Sequence, residues 1–132
     1  MTGVWWTFRS YLTARGDHVL QLWYDALGEQ AQAKFDVRLR HLRQQPISGW
    51  TRPYFDKLAG KYADLGKLRF ESGNVQYRPL GYFTGPHEFT FVFPEATERG
   101  SKWDPKTARD IAKARMIEIQ RDGSRSDAYE FE

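Results

Sequence analysis

Apolar and polar positions alternate most densely between residues 65 and 93, LGKLRFESGNVQYRPLGYFTGPHEFTFVF. Three runs rich in aromatic and β-branched residues, 67–72, 75–83 and 88–93, are bounded by turn residues and predict three strands. Gly73 and Asn74 predict a two-residue hairpin loop, because glycine accepts the positive φ such loops need and asparagine tolerates it. Thr84, Gly85, Pro86 and His87 mark a second reversal, with His87 read as a turn residue. The expectation is an antiparallel meander. If Ser72 faces Val75, then Phe70 faces Tyr77 and Arg69 faces Arg78. Like charges directly opposed across a ladder are unfavourable, and an anion held between them would relieve the repulsion. On a bare hairpin, a neutral replacement of either arginine should leave folding intact.

Helical periodicity appears on both sides of the meander. Residues 4–12 have β-type composition and predict an opening strand. Asp17 is the expected cap of a first helix that places Val19, Leu20, Trp23 and Leu27 on one face. A second helix over about 29–45 carries an apolar stripe of Ala31, Phe35, Leu39 and Leu42. Lys34, Arg38 and His41 share its exposed side, and Pro46 stops it. Residues 46–66 are irregular, with one short helical turn expected at 54–59. After the meander, 96–103 reads as a basic loop. Asp104 followed by Pro105 predicts the start of a last helix running to about Arg121, with Ala108, Ile111, Ala112, Met116 and Ile119 on one side. Residues 124–132 read as a polar tail containing Tyr129 and Phe131. Trp5, Trp6, Phe35 and Phe89 are assigned to the core.

The resulting order, β-α-α-β-β-β-α, predicts a single α+β domain over residues 1–132. The helix pair packs on one face of the meander, and the other face is left open or partly covered by the last helix. Its 132 residues are enough to bury a core without staples. With no cysteine, disulfides and cysteine-ligated zinc are excluded. No apolar run approaches the ~20 residues of a membrane span, and the N-terminus lacks the layout of a secretory signal. A cytoplasmic protein that does not contact the membrane is expected. The formal net charge of +3 alone does not imply nucleic acid. The distribution is more telling: Arg99, Lys102, Lys106, Arg109, Lys113, Arg115, Arg121 and Arg125 face only Asp104, Asp110, Glu118 and Asp122 over the same stretch. The three histidines are scattered and no carboxylates have ligand spacing, so neither a metal nor a cofactor is expected.

Leu68-Arg69-Phe70-Glu71, Gln76-Tyr77-Arg78, the aromatic end at Tyr82-Phe83, the strand at 88–93 and the basic loop leading to Asp104-Pro105 form an ordered set. In that set the chain resembles the RelE/HigB superfamily of type II toxin–antitoxin toxins, in its phage-derived HigB-like branch. The similarity is clearest over residues 65–121. The resemblance implies a RelE-like fold and a metal-independent endoribonuclease, an mRNA interferase that works at the ribosome. A small helix-turn-helix antitoxin would silence it. The implied chemistry is attack of a ribose 2′-oxygen on the adjacent phosphate. Arg78 and Arg69 would stabilise the phosphorane, since a guanidinium matches two phosphate oxygens. Lys102 would add charge at the catalytic site, and Tyr129 stands where relatives often place a functional side chain, some of them a histidine. Arg99, Lys34, Arg38 and His41 would grip RNA phosphates.

Plainer readings stand beside these. Arg69 can pair with Glu71 or Glu88 on a solvated sheet face, the Lys34/Arg38/His41 stripe can be an ordinary solvated helix face, and Tyr129 can be a tail anchor. Two other functions also fit the resemblance: a gyrase inhibitor like the related ParE toxins, or a phage-derived relative that binds RNA or protein without catalysis.

Overall fold

The computed structural model describes residues 5–131. In chain order these form strand β1 (Thr7–Tyr11), helices α1 (Val19–Ala26) and α2 (Glu29–Arg43), and strands β2 (Phe55–Lys57), β3 (Gly66–Leu68), β4 (Phe70–Ser72), β5 (Val75–Tyr77) and β6 (Leu80–Gly85). Strands β7 (Glu88–Phe93), β8 (Thr97–Arg99) and β9 (Lys102–Asp104), helix α3 (Ala108–Arg121) and strand β10 (Ser126–Tyr129) complete the chain. The architecture is a mixed α+β fold with three helices and two sheets.

The main sheet has six strands in the order β10-β1-β7-β6-β3-β2, and the smaller has four, β4-β5-β8-β9. All pairs are antiparallel except β1–β7, which is parallel. Alternation along β7 builds two cores. Phe89 and Phe91 pack with Phe8, Leu20, Phe35, Leu39 and Leu42, beneath the helix pair. Val92 packs with Leu80, Tyr82, Ala108, Ala112 and Met116, beneath α3. The helix pair thus covers one face of the main sheet and α3 covers the other. The stripes foreseen on α2 and α3 are the buried ones, apart from the half-buried Ile111.

The meander is not one sheet. Both of its first two strands break, the first at Arg69 and the second at Arg78-Pro79. Pro79 has no N–H to give a ladder, and the Arg69 and Arg78 amides make the last bonds in the registers of β3 with β2 and of β5 with β8, to Tyr54 O (2.9 Å) and Ala96 O (2.8 Å). The first half of the first strand and the second half of the second therefore join the main sheet as β3 and β6. The remaining halves form the β4–β5 hairpin of the small sheet. The expected register holds in that hairpin, with Ser72 opposite Val75 and Phe70 opposite Tyr77.

Several local expectations are corrected. The turn foreseen at 54–59 is β2, an edge strand paired with β3. The basic loop contains the β8–β9 hairpin, and the polar tail forms β10 against β1. Because Asp104 is engaged in β9 opposite Thr97, α3 begins only at Ala108. Trp5 is 55% exposed and not core. Residue Val4 of the foreseen opening strand lies outside the described residues.

Asp17 does not cap α1, because its carboxylate is paired with Arg15 (2.6 Å). His18 takes the role: Nδ1 accepts from the Gln21 amide (3.1 Å), while Nε2 lies 3.0 Å from Ala128 O. A carbonyl can only accept, so the ring is the Nε2–H tautomer and ties the start of α1 to the outer strand β10. His18→Ala should cost about 1 kcal/mol, as for other lost caps. Chemical denaturation measures the loss, and ring ¹⁵N shifts in the parent protein should show Nε2 protonated. Gly81 is under a harder constraint, since a Cβ there would collide with the Thr90 carbonyl and the Phe89 ring. Both neighbours belong to the packed centre of the sheet, so Gly81→Ala should yield little folded protein, read by circular dichroism.

Candidate functional site: an arginine-lined groove beside the second helix

Residues directly opposite each other on neighbouring strands point to the same face of a sheet. Glu71 is opposite Gln76, Gln76 opposite Glu98, and Glu98 opposite Trp103. These four side chains form a row across the small sheet. Arg69 and Arg78 lie just beyond the Phe70–Tyr77 pair, at the corner where the chain changes sheets. A pocket of about 210 Å³ opens there, lined by Arg69, Glu71, Gln76 and Arg78 of the hairpin, Arg38 of α2, and Pro53 and Phe70. Through Arg38, Phe70 and Glu71 it continues into a groove of about 630 Å³ between α2 and the Gly73–Asn74 turn, where Lys34 and Gln30 stand on the helix side.

The arginines are not equivalent. Arg78 is only 5% exposed. Its Nε donates to Glu98 (2.7 Å), Nη1 to Tyr77 O (2.8 Å) and Nη2 to Gln76 Oε1 (3.1 Å). Glu98 also accepts from Lys67 Nζ at 3.0 Å. Burial alone would raise the Glu98 carboxyl, but the hydrogen bonds from Lys67 and Arg78 hold it below the ordinary value of 4.5. Arg38 donates its Nε to Arg69 O (2.8 Å) and lies over the Tyr54 ring at 4.7 Å, with its other nitrogens uncommitted among the described residues. Arg69 forms no ion pair and no side-chain hydrogen bond among the described residues, and its Nε is buried without a partner. Burial lowers its pKa, and the neighbouring charges of Arg78 and Arg52 lower it further. It remains a cation at neutral pH, held where cations are unwelcome.

The other residues singled out from the sequence are dispersed. Lys34 lines the groove, while His41 sits behind it with its ring 4.2 Å from that of Tyr54. Arg99 and Lys102 are paired across the tip of the β8–β9 hairpin, both exposed, and line neither pocket. Tyr129 is buried in β10 opposite Phe8 and lines a separate pocket with Tyr24, Asp36 and Arg40. Burial, then the charge of Asp36, pushes its hydroxyl well up, so it holds its proton at neutral pH. Four residues at the site were given no functional role from the sequence: Glu71, read only as a partner for Arg69, and Gln76, Glu98 and Lys67. The hairpin register alone would have placed Gln76 opposite Glu71. Glu98 left no signal, because its strand read as a loop.

Comparison with known proteins finds no matching family model, curated protein or solved structure. The chemistry is therefore argued from the groove itself. Two guanidinium groups without carboxylates, an exposed carboxylate (Glu71) and a side-chain amide suit a phosphodiester or another oxyanion.

Arg78→Ala should destabilise the protein by about 3 kcal/mol, because it strips a buried carboxylate of one of two partners. This reverses the expectation drawn from a bare hairpin. Arg69→Ala should change stability by no more than about 0.5 kcal/mol, since no internal bond is lost and like-charge repulsion is relieved. Urea unfolding of the two variants separates the cases. A carboxyl whose folded pKa lies below its unfolded value stabilises fully above the unfolded value and loses that contribution as pH falls. Stability should therefore decline as pH drops from about 4.5 through the lower folded value of Glu98, and Glu98→Gln should lack that part of the decline.

Proposed function

We propose that this protein is a type II toxin of the RelE/HigB kind, an endoribonuclease that grips an RNA phosphate in the arginine-lined pocket. The observation that supports it best is the convergence of Arg38 and Arg69, both without ion-pair partners among the described residues, on a pocket that also holds Glu71. In this reading Glu71 takes the proton from a ribose 2′-hydroxyl, and the 2′-oxygen forms a bond to phosphorus. Arg69 and Arg38 stabilise the charge on the phosphorane. The bond to the 5′-oxygen then breaks, and that oxygen takes a proton from water, leaving a 2′,3′-cyclic phosphate. Lys34 and the Arg99/Lys102 tip bind flanking phosphates. Arg78 supports the site from behind, and Tyr129 takes no part in proton transfer. The partners implied are mRNA on the ribosome and a small antitoxin, in the cytoplasm.

The test is incubation of the purified protein with ribosomes and end-labelled mRNA, with the 2′,3′-cyclic phosphate product as readout. Arg69→Ala should lower the cleavage rate roughly a hundred- to a thousandfold without loss of fold, the range for a lost transition-state donor. Glu71→Gln should be similarly impaired. If the parent protein leaves RNA intact and its expression raises DNA damage before translation slows, the nuclease reading fails and gyrase inhibition replaces it. Removing Arg99 and Lys102 together should flatten the salt dependence of RNA binding by about 1.4 in log–log slope, at ~0.7 per single-strand phosphate contact. An unchanged slope removes the hairpin tip from the interface.

A further inference from the structure

Glu98 never reaches the groove, yet it lies at the centre of the charges behind it. One carboxylate oxygen serves both Lys67 and Arg78, and the side chains of all three are nearly enclosed, at 12%, 13% and 7% exposure. Two positive charges share one negative charge. No second carboxylate approaches either cation within 4.0 Å among the described residues, so a surplus positive charge sits directly behind the pocket that Arg78 lines. Net charge in so enclosed a place is costly unless an anion answers it.

Arg78 also constrains its neighbour. A guanidinium only donates, so the Gln76 oxygen must face Arg78 Nη2, which turns the Gln76 NH₂ group away from Arg78. Gln76 lines the same pocket as Arg38 and Arg69. We infer that Glu98 is a positioning residue for this pocket. By holding Arg78 at Nε, it fixes Gln76 as a neutral donor toward the bound oxyanion, and it keeps Arg78 from becoming a third direct ligand. Lys67, bonded to the same carboxylate oxygen, sets the surplus charge. Tying β8 to β3 would account for one ion pair, but not for the second cation or for the oriented amide.

This inference rests on the pocket taking an RNA phosphate, and the experiment keeps the two ideas apart. Inorganic phosphate is titrated against the parent protein, Glu98→Gln and Lys67→Met, following the Gln76 side-chain ¹⁵N–¹H signals. In parallel, binding of a 2′-O-methyl pentauridylate and cleavage of ribosome-bound mRNA are measured. In the parent protein, phosphate should shift the Gln76 amide. Glu98→Gln frees Arg78, so it should bind phosphate and the inert RNA about three- to tenfold more tightly, with a salt slope steeper by about 0.7 for one added contact. Cleavage should nevertheless fall at least tenfold, because Gln76 is no longer held, and Glu98→Asp should recover part of it. Lys67→Met keeps the Glu98–Arg78 pair and should bind both anions about threefold more weakly. It also decides the matter if Glu98→Gln does not fold. Anion affinities unchanged in both variants, or lost only in parallel with unfolding, would make Glu98 a purely structural tie and overturn the inference. Phosphate binding that follows the expected pattern without any RNA cleavage would instead overturn the nuclease reading and leave the positioning role standing.

Discussion

Pro79 brings no N–H to a ladder, so the Arg78 amide, bonded to Ala96 O, makes the last bond in the register of β5 with β8. The strand leaving the Gly73–Asn74 turn cannot continue in the sheet where it began, so it crosses into the other. One strand earlier, Leu68 N to Pro79 O and Arg69 N to Tyr54 O are the last bonds in the registers of β3 with β6 and β2, and the chain then passes into the small sheet. This paired crossing at one corner creates the small sheet. It also sets β4, the edge strand of the small sheet, beside α2, so that its residues line a groove with a helix as its other wall. The groove is thus a consequence of where the hairpin passes from one sheet to the other.

The chain carries other buried or half-buried arginines, and the way each is satisfied makes Arg69 the exception. Arg43 lies between Trp5 and Phe131 and gives two hydrogen bonds to Phe131 O. Arg115 bonds Val92 O and lies over Tyr11. Arg125 reaches Leu12 O, the Tyr11 hydroxyl and Glu118. In each, carbonyls, ring faces or a carboxylate replace the water lost on burial. Arg69 has none of these and stands beside other cations. Asp56 and Glu98 act on it only from a distance, and a half-buried cation with no bonded partner is the signature expected where an external anion completes the site.

Much of the frame was legible because it follows from periodicity. The stripe Ala31, Phe35, Leu39, Leu42 and the stripe Ala108, Ala112, Met116, Ile119 each define a buried helix face. The hairpin register followed from the two residues of its loop. What stayed hidden was decided at long range. Strands β2, β8 and β10 are only three or four residues long and gain their identity from partners elsewhere in the chain, such as Phe8 for Tyr129, while β9 exists only as the return strand of β8. Local composition read them as turn, loop or tail. Glu98 was invisible for the same reason, since its meaning comes from Lys67 and Arg78, 31 and 20 residues away.

The opposed-arginine pattern also shows how one sequence feature changes meaning with its surroundings. Arg99 and Lys102 are true register partners in the β8–β9 hairpin, yet both project into solvent, where water and salt screen their repulsion. That pair asks for nothing. No ladder bond joins Arg69 and Arg78, although the shared register of the flanking pairs, Phe70 opposite Tyr77 and Lys67 opposite Leu80, sets them across from each other. Their charges nevertheless act on each other across partly buried space, where screening is weak. Glu98 neutralises Arg78 only by sharing itself with Lys67, which leaves Arg69 facing the remainder. The cue therefore lies in burial and in the number of available carboxylates, and counting like charges along a ladder finds the place only when the ladder's end happens to be enclosed.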